Sequence, residues 1–300
     1  MNLDDIKQAL LDSYERDGGI NHLDGVNLPT QDSVQQLASD YMHLIFPGFF
    51  EATGLAKHDV PALVGDLLHR VETRLRTEIE KSLRFAKVAD PAARARQLTM
   101  ATLDKLPGLR QIIKTDVDAA FEGDPAAGSI EEIILAYPCV LSISLQRFAH
   151  VLYTLGVPLL PRMLTEYGHE RTGSDLHPGA TIGSHFFIDH GTGVVVGETS
   201  VLGSHVKLYQ GVALIARSTS GGQALKGQKR HPSLEDRVTV YASTTIMGGD
   251  TIIGAGSTIG GNVFVTQSVP KRSLVLMQEQ SLKVLAKDQH ARSDPHDWTI

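Results

Sequence analysis

Residues 175–198 read DLHPGATIGSHFFIDHGTGVVVGE. The stretch sets acids and histidines among β-branched residues that suit a buried strand, so it carries either chemistry or the decorated surface of a repeat. Spacing decides the fold. Ile182-Gly183, Ile188 and Val194 are six apart, and a second phase carries Val196-Gly197, Leu202-Gly203, Leu208 and Leu214. After an interruption the beat returns at Tyr241, Met247-Gly248, Ile253-Gly254, Ile259-Gly260 and Val265. A period of six is neither that of a helix nor the alternation of a strand. It is the hexapeptide repeat of a parallel β-helix. Each face is then a very short strand and a turn, three faces close a triangular coil, and one apolar side chain per face points inward. The glycine that follows is expected to relieve the backbone at the corner. The two-residue phase jump between Val194 and Val196 predicts an irregularity that re-aims side chains.

Upstream the period is helical. LDDIKQALLDSY, VQQLASDYMHLIF, VPALVGDLLHRVETRLRTEIEKSLRF and AARARQLTMATLDKL repeat apolar residues at threes and fours, and further helices are expected in VLSISLQRFAHVLYTLG and near LLPRMLTEYGHERTG. The charges of the third helix read as its solvated face. Residues 1–172 are thus expected to form an α-helical N-terminal and oligomerisation domain, residues 173–272 the β-helix, with a loop inserted at about 216–229, and residues 273–300 a tail that starts helical in LVLMQEQSLKVLAKDQH.

Composition narrows the class. With 42% hydrophobic and 21% charged residues, the chain reads as an ordinary soluble protein. A net charge of -6 offers no support for a nucleic-acid or anionic-membrane partner. The single cysteine, Cys139, permits no disulfide within the chain and sits in apolar LAYPCVLSISL, which predicts a buried structural thiol in a reducing compartment. MNLDDIKQALLDSYERD lacks the basic and apolar runs of a signal peptide, and no segment has the length and apolarity of a membrane span. A cytoplasmic location is expected.

SDLHPGATIG at 174–183, IDHGTGVVVGET at 188–199 and KRHP at 229–232, together with the helical first half, resemble the serine O-acetyltransferases, specifically the longer-loop bacterial branch. The resemblance implies a left-handed β-helix and transfer of an acetyl group from acetyl-CoA to the hydroxyl of L-serine in cysteine biosynthesis, with no metal. The residues fit that chemistry. An attacking hydroxyl must lose its proton, and histidine titrates in the right range. His190 is the candidate base. Asp175, fifteen residues upstream and close to one coil away, is expected to orient it. Asp189 is expected to point elsewhere on an extended backbone and to hold the substrate ammonium. Arg230 supplies a two-pronged donor for the substrate carboxylate, and His231 can contact substrate or polarise the reacting oxygen. By resemblance Asp189, His190, Arg230 and His231 line the serine site, Glu198 supports the second histidine, and Asp124 reaches the amino-acid pocket. Ala242, Gly248, Gly260 and Gly261 are implied to border the cofactor in a groove between adjacent β-helices. No dinucleotide or phosphate-loop glycine motif is present.

The other histidines of the repeat, His177, His185 and His205, read as surface or turn residues. The loop at 216–229 resembles a flap over the site. A homotrimer or a dimer of trimers is implied, as is docking of Ile300, the terminal residue, into O-acetylserine sulfhydrylase, with Trp298 adding contact. Feedback inhibition by cysteine is common in the resembled family. Three alternatives share the architecture: an acyltransferase for homoserine or another hydroxyl, a zinc enzyme using His185 and His190, five apart, and a non-catalytic scaffold for the sulfhydrylase.

Overall fold

The structure, a computed structural model, describes residues 2–218 and 220–278. The first half holds the helices α1 (Leu3–Arg16), α2 (Gln31–Ile45), α3 (Val60–Phe85), α4 (Pro91–Leu103), α5 (Leu106–Gly123), α6 (Ile130–Ala136), α7 (Pro138–Thr154) and α8 (Leu160–Thr172). Side-chain caps start several of them: the oxygens of Thr30, Asp90 and Ser129 accept from the backbone of Ser33, Ala93 and Glu132. Gly173, at φ 72°, ends α8 and turns the chain into the repeat. α7 lies at the centre, with Phe148 stacked on Tyr41 at 4.3 Å between ring centroids. α1 buries none of its residues, all of which are at least partly exposed. No single helix among the described residues is long and apolar enough to cross a membrane.

The second half is a parallel solenoid. Its strands are β1 (Asp175–Leu176), β2 (Thr181–Ile182), β3 (Phe187–Asp189), β4 (Val195–Val196), β5 (Val201–Leu202), β6 (Lys207–Tyr209), β7 (Ala213–Ile215), β8 (Ser233–Leu234), β9 (Thr239–Val240), β10 (Thr245–Met247), β11 (Ile252–Ile253), β12 (Thr258–Ile259), β13 (Phe264–Val265) and β14 (Leu274–Val275). They form three parallel sheets, which we call faces. The first is β1-β4-β7-β10-β13, the second β2-β5-β8-β11, and the third β3-β6-β9-β12-β14. Leu176, Val196, Leu214, Ile246 and Val265 stack inward on the first face, all buried. Each such side chain is worth about 1.5–3 kcal/mol of transfer free energy.

The repeat differs from the sequence reading in four details. Val240 and Ile246 point inward in place of Tyr241 and Met247, and one extra residue at Gly248-Gly249 restores the phase before Ile253. The glycines after the inward residues serve coil stacking more than dihedral freedom: a Cβ on Gly183 would lie 2.6 Å from the backbone of Gly203. The tail stretch expected to be helical begins as a strand, β14, which carries the third face past residue 272. Finally, the irregularity lies before Val194. Asp189 pairs with Tyr209 and Val195 with Ala213, so five residues, 190–194, span a corner that 210–212 span with three. The surplus is two residues. His190 and Gly191, at φ 62° and 85°, take left-handed conformations there.

A buried ion pair locks the two halves. Arg147 of α7 grips Asp116 of α5 through two bonds of 2.6 and 2.8 Å and donates to the carbonyls of Ile182 and Gly183 in the first coil. Asp116 also accepts from the Phe186 amide at 2.9 Å. Every charge in this joint is met by hydrogen bonds.

Candidate active site

The sequence-predicted residues gather at two edges of the solenoid. The first edge joins the third face to the first. Here the two-residue surplus pushes His190 out of the coil, with 70% of its side chain exposed. Asp189 ends β3, and its Oδ1 lies 3.7 Å from His190 Nε2. The expectation that Asp189 points away assumed an extended backbone, and the left-handed turn at His190 removes that assumption. Asp124, the C-cap of α5, faces the same edge. It accepts from the Tyr137 hydroxyl at 2.6 Å and from the Ala126 amide at 2.8 Å. These bonds, with smaller help from the charges of Lys207 and His190, hold its carboxyl below the usual range. The Tyr137 hydroxyl is pushed up to about 12 by the same bond.

The second edge joins the first face to the second. Arg230 bonds Glu198, which also accepts from the Tyr153 hydroxyl at 2.7 Å. Burial pushes the Glu198 carboxyl up, and these two donors more than offset it, leaving it below the usual range. His231 is 9% exposed and lies across Gly197, where a Cβ would stand 2.0 Å from its ring. Burial, then the Arg230 charge, lowers its imidazole to about 4. The Thr199 amide donates to its Nδ1 at 3.1 Å, and the Thr199 hydroxyl lies 2.9 Å from the same nitrogen. That hydroxyl already accepts from the amides of Arg230 and His231, so its own proton goes to Nδ1. The neutral ring therefore carries its proton on Nε2. Glu198, expected to support His231, bonds Arg230 and reaches the His231 imidazole through its charge.

Asp175, expected beside His190, is paired with Arg162 of α8 at 3.1 Å. Arg162 also bonds Glu166. Glu166, His169 and Asp175 are a trio whose ligand atoms lie within 4.8 Å, and the Arg162 guanidinium already pairs with both of its carboxylates. His185 and His205 stack at 4.0 Å on the remaining edge. His185 and His190 thus stand at opposite ends of β3 on different edges and do not come together within one chain. His177 is half-buried, and burial lowers its imidazole. Cys139 is buried, its thiol pushed up to about 12 by burial, which does not suit a nucleophile.

Thr192, Gln210, Ala242 and Gly261 stack in a column along the first edge, linked by the bonds Gly211 N to Thr192 O, Ser243 N to Gln210 O and Asn262 N to Ala242 O. Gly260 precedes Gly261 there, while Gly248 lies on the second edge against Arg217. The inserted loop includes a short 3-10 helix, Gly222–Leu225, and Arg230 reaches back toward the Leu225 carbonyl at 3.4 Å. Sequence reasoning missed Lys207, Tyr137, Tyr153 and Thr199. Tyr137 and Tyr153 lie in the helices or their caps, far in sequence from the repeat, and no local pattern marks them.

No known family profile matches the chain. Individual relatives do. The plasmid serine acetyltransferase of Synechococcus elongatus is 43% identical over 260 residues, 83% of this chain and 81% of the relative. The chain belongs to the serine acetyltransferase family. The serine acetyltransferase of Mycobacterium tuberculosis is 40% identical over 188 residues, 63% of this chain and 78% of its own. Among solved structures, serine acetyltransferase isoform 3 of Entamoeba histolytica in complex with cysteine matches 94% of both chains, at 32% identity and a TM-score of 0.74. Soybean serine acetyltransferase complexed with serine matches 82% of this chain and 96% of its own, at 27% identity and a TM-score of 0.53. Membership makes the chain an acyltransferase that acts on a hydroxyl acceptor, a transferase of amino-acid biosynthesis.

Proposed function

We propose that this family member transfers an acetyl group from acetyl-CoA directly to the hydroxyl of L-serine. The observation that carries the reading is the pairing of an exposed histidine flanked by acids at one edge with a neutral, Nε2-protonated histidine beside an arginine at another. His190 takes the hydroxyl proton as general base. Asp189 and Asp124 hold the acceptor ammonium, and Arg230, steadied by Glu198, takes its carboxylate. His231 donates from Nε2 to the oxygen that becomes negative as the thioester carbonyl is attacked. The tetrahedral intermediate then expels the CoA thiolate, which leaves with a proton from His190. Asp175 orients His190 in this reading by leaving Arg162. The column of Thr192, Gln210, Ala242 and Gly261 offers the thioester arm a backbone-lined track that ends near His190.

The two edges are separated by the width of the first face, so the groups meet only across two chains. The strand β4, Val195–Val196, crosses that face between the corner at 190–194 and the corner that holds Glu198. The outward side of the face between the edges is mostly apolar, with Val195, Ala213, Ile215, Met247 and an exposed Phe264, interrupted by Thr245 and, at the first coil, Asp175. Three copies that turn this face to a common axis bury it and bring the His190 edge of one chain to the His231 edge of the next. We propose such a trimer, or two of them stacked, in the cytoplasm. Ile300 and Trp298, proposed to dock into O-acetylserine sulfhydrylase, lie outside the described residues.

The test is CoA-thiol release from acetyl-CoA with L-serine, beside L-homoserine and an acceptor-free blank, in wild type and His190→Ala. Serine-dependent release that collapses by about a thousandfold in the variant supports the reading. Release with homoserine alone rejects the acceptor, and release unchanged by the substitution rejects the base.

A further inference from the structure

Lys207 stands on β6 one coil above Phe187, with which it is in register. A lysine on the outer side of a solenoid strand is ordinarily a solvated charge, but this one is not. Its side chain is 18% exposed. Its Nζ donates to the Gly123 carbonyl at 2.6 Å and lies 3.5 Å from Asp189 Oδ2. It also sits over the rings of Phe187 at 4.8 Å and Tyr209 at 4.6 Å. Each direction in which the ammonium can act is occupied: a carbonyl, a carboxylate and two aromatic faces.

The partners are those that build the first edge. Gly123 immediately precedes Asp124, and a Cβ on Gly123 would stand 2.8 Å from the Phe187 ring and 3.6 Å from Lys207 Nζ. A glycine is therefore needed for the end of α5 to approach the solenoid closely enough to be gripped. Asp189, held on its other side, is the carboxylate beside His190. One ammonium thus ties together the end of a helix and the end of a strand, each bearing a carboxylate. Two carboxylates and one lysine leave the pocket one formal negative charge, the complement of a single acceptor ammonium. Without the lysine, nothing positive would stand between the two carboxylates, which would repel each other.

We infer that Lys207 is a positioning residue of the acceptor pocket, holding Asp189 and the Gly123–Asp124 segment at the separation that fits the ammonium of an amino-acid acceptor. The inference rests on the acceptor site proposed above. Lys207 touches neither the transferred acetyl group nor the hydroxyl, so its loss acts on acceptor binding before it acts on chemistry.

The experiment measures steady-state CoA release with L-serine in wild type, Lys207→Met, Lys207→Gln and Lys207→Arg, varying serine and acetyl-CoA separately. The expected result is a rise of about tenfold or more in the KM for serine in the Met and Gln variants, the loss of a charge-assisted hydrogen bond. The KM for acetyl-CoA stays within about twofold, and Lys207→Arg recovers most of the deficit, since it keeps the charge. The Gln variant carries the test if the Met variant does not fold. An unchanged KM for serine, or equal rises in both KM values, overturns the inference and leaves the serine reading standing. Absence of serine-dependent release in wild type overturns the acceptor reading and this inference with it.

Discussion

At the residue scale, His231 owes its state to its seat. The ring lies against Gly197, shares the lone pair of Nδ1 between the Thr199 amide and hydroxyl, and is kept neutral by burial beside Arg230. Gly197→Ala places a methyl carbon 2.0 Å from that ring. The variant is expected to fold and to lose about a hundredfold in kcat, the scale of one misplaced donor, measured by CoA release with the melting temperature as control. The same ring sets a pH dependence. The imidazole titrates near 4 in the fold and near 6.5 unfolded, so between these values only the unfolded chain takes up the proton. Stability falls as pH drops from about 6.5 toward 4 and is unaffected by this group above that window. Thermal melts at pH 7 and pH 5 should show a drop that shrinks in His231→Asn; an equal drop in both would remove His231 as its source. Glu198 contributes in a lower window, as acid protonates a carboxylate held below its usual range. His190 and His231 were legible in the sequence because each sits in a short dense motif. Thr199 and Lys207 were not, because each acts through a contact with residues about thirty or eighty positions away.

At the scale of elements, the sequence announced the solenoid through its period and concealed where the period slips. The irregularity seen at Val194 and Val196 is the downstream sign of the His190-Gly191 surplus, because Val194 stays buried at the corner and only the register with Tyr209 reveals which residues bulge. α5 went unread for a different reason. Pro107 and Gly108 look like a break, yet a proline in the first turn has no amide to lose, so it starts a helix as readily as it ends one. That helix positions Asp124 and supplies Asp116 to the joint with Arg147. The joint itself was invisible, since a buried arginine in an apolar helix is only explained by the acid 31 residues before it. Arg147→Met leaves Asp116 buried without its counter-charge, and burial already pushes that carboxyl up. A loss of about 3–5 kcal/mol in denaturant unfolding is expected. The double variant Arg147→Met/Asp116→Leu should recover part of it, by removing the stranded charge. A loss under about 1 kcal/mol in the single variant would mean that the two halves do not depend on this pair.

At the scale of the whole molecule, the two edges raise the question of how many chains one site needs. Asp189 and His190 belong to the edge before the first face, and Glu198, Arg230 and His231 to the edge after it, with no hydrogen bond or ion pair joining the two sets among the described residues. A solenoid is stiff along its length, so no side-chain rearrangement brings its edges together. A threefold arrangement around the mostly apolar first face does so without deforming the chain, and it has a sharp consequence. His190→Ala and His231→Ala are each inactive alone under this arrangement, because every site lacks one of its two histidines. When the two variants are coexpressed and assemble at random, a site is complete whenever its first edge comes from the His231→Ala chain and its second from the His190→Ala chain, giving about one quarter of wild-type activity per site. If instead one chain supplied both histidines, no mixture would contain a complete site. Mixed trimers purified through two different affinity tags each hold one complete site of three, so, assayed against each parent variant, activity near about a third of wild type establishes a site shared between chains, and activity at the level of the parents excludes it. Ile215→Arg, placed at the middle of the face, gives the independent check, since monomers by light scattering should be inactive even with both histidines intact.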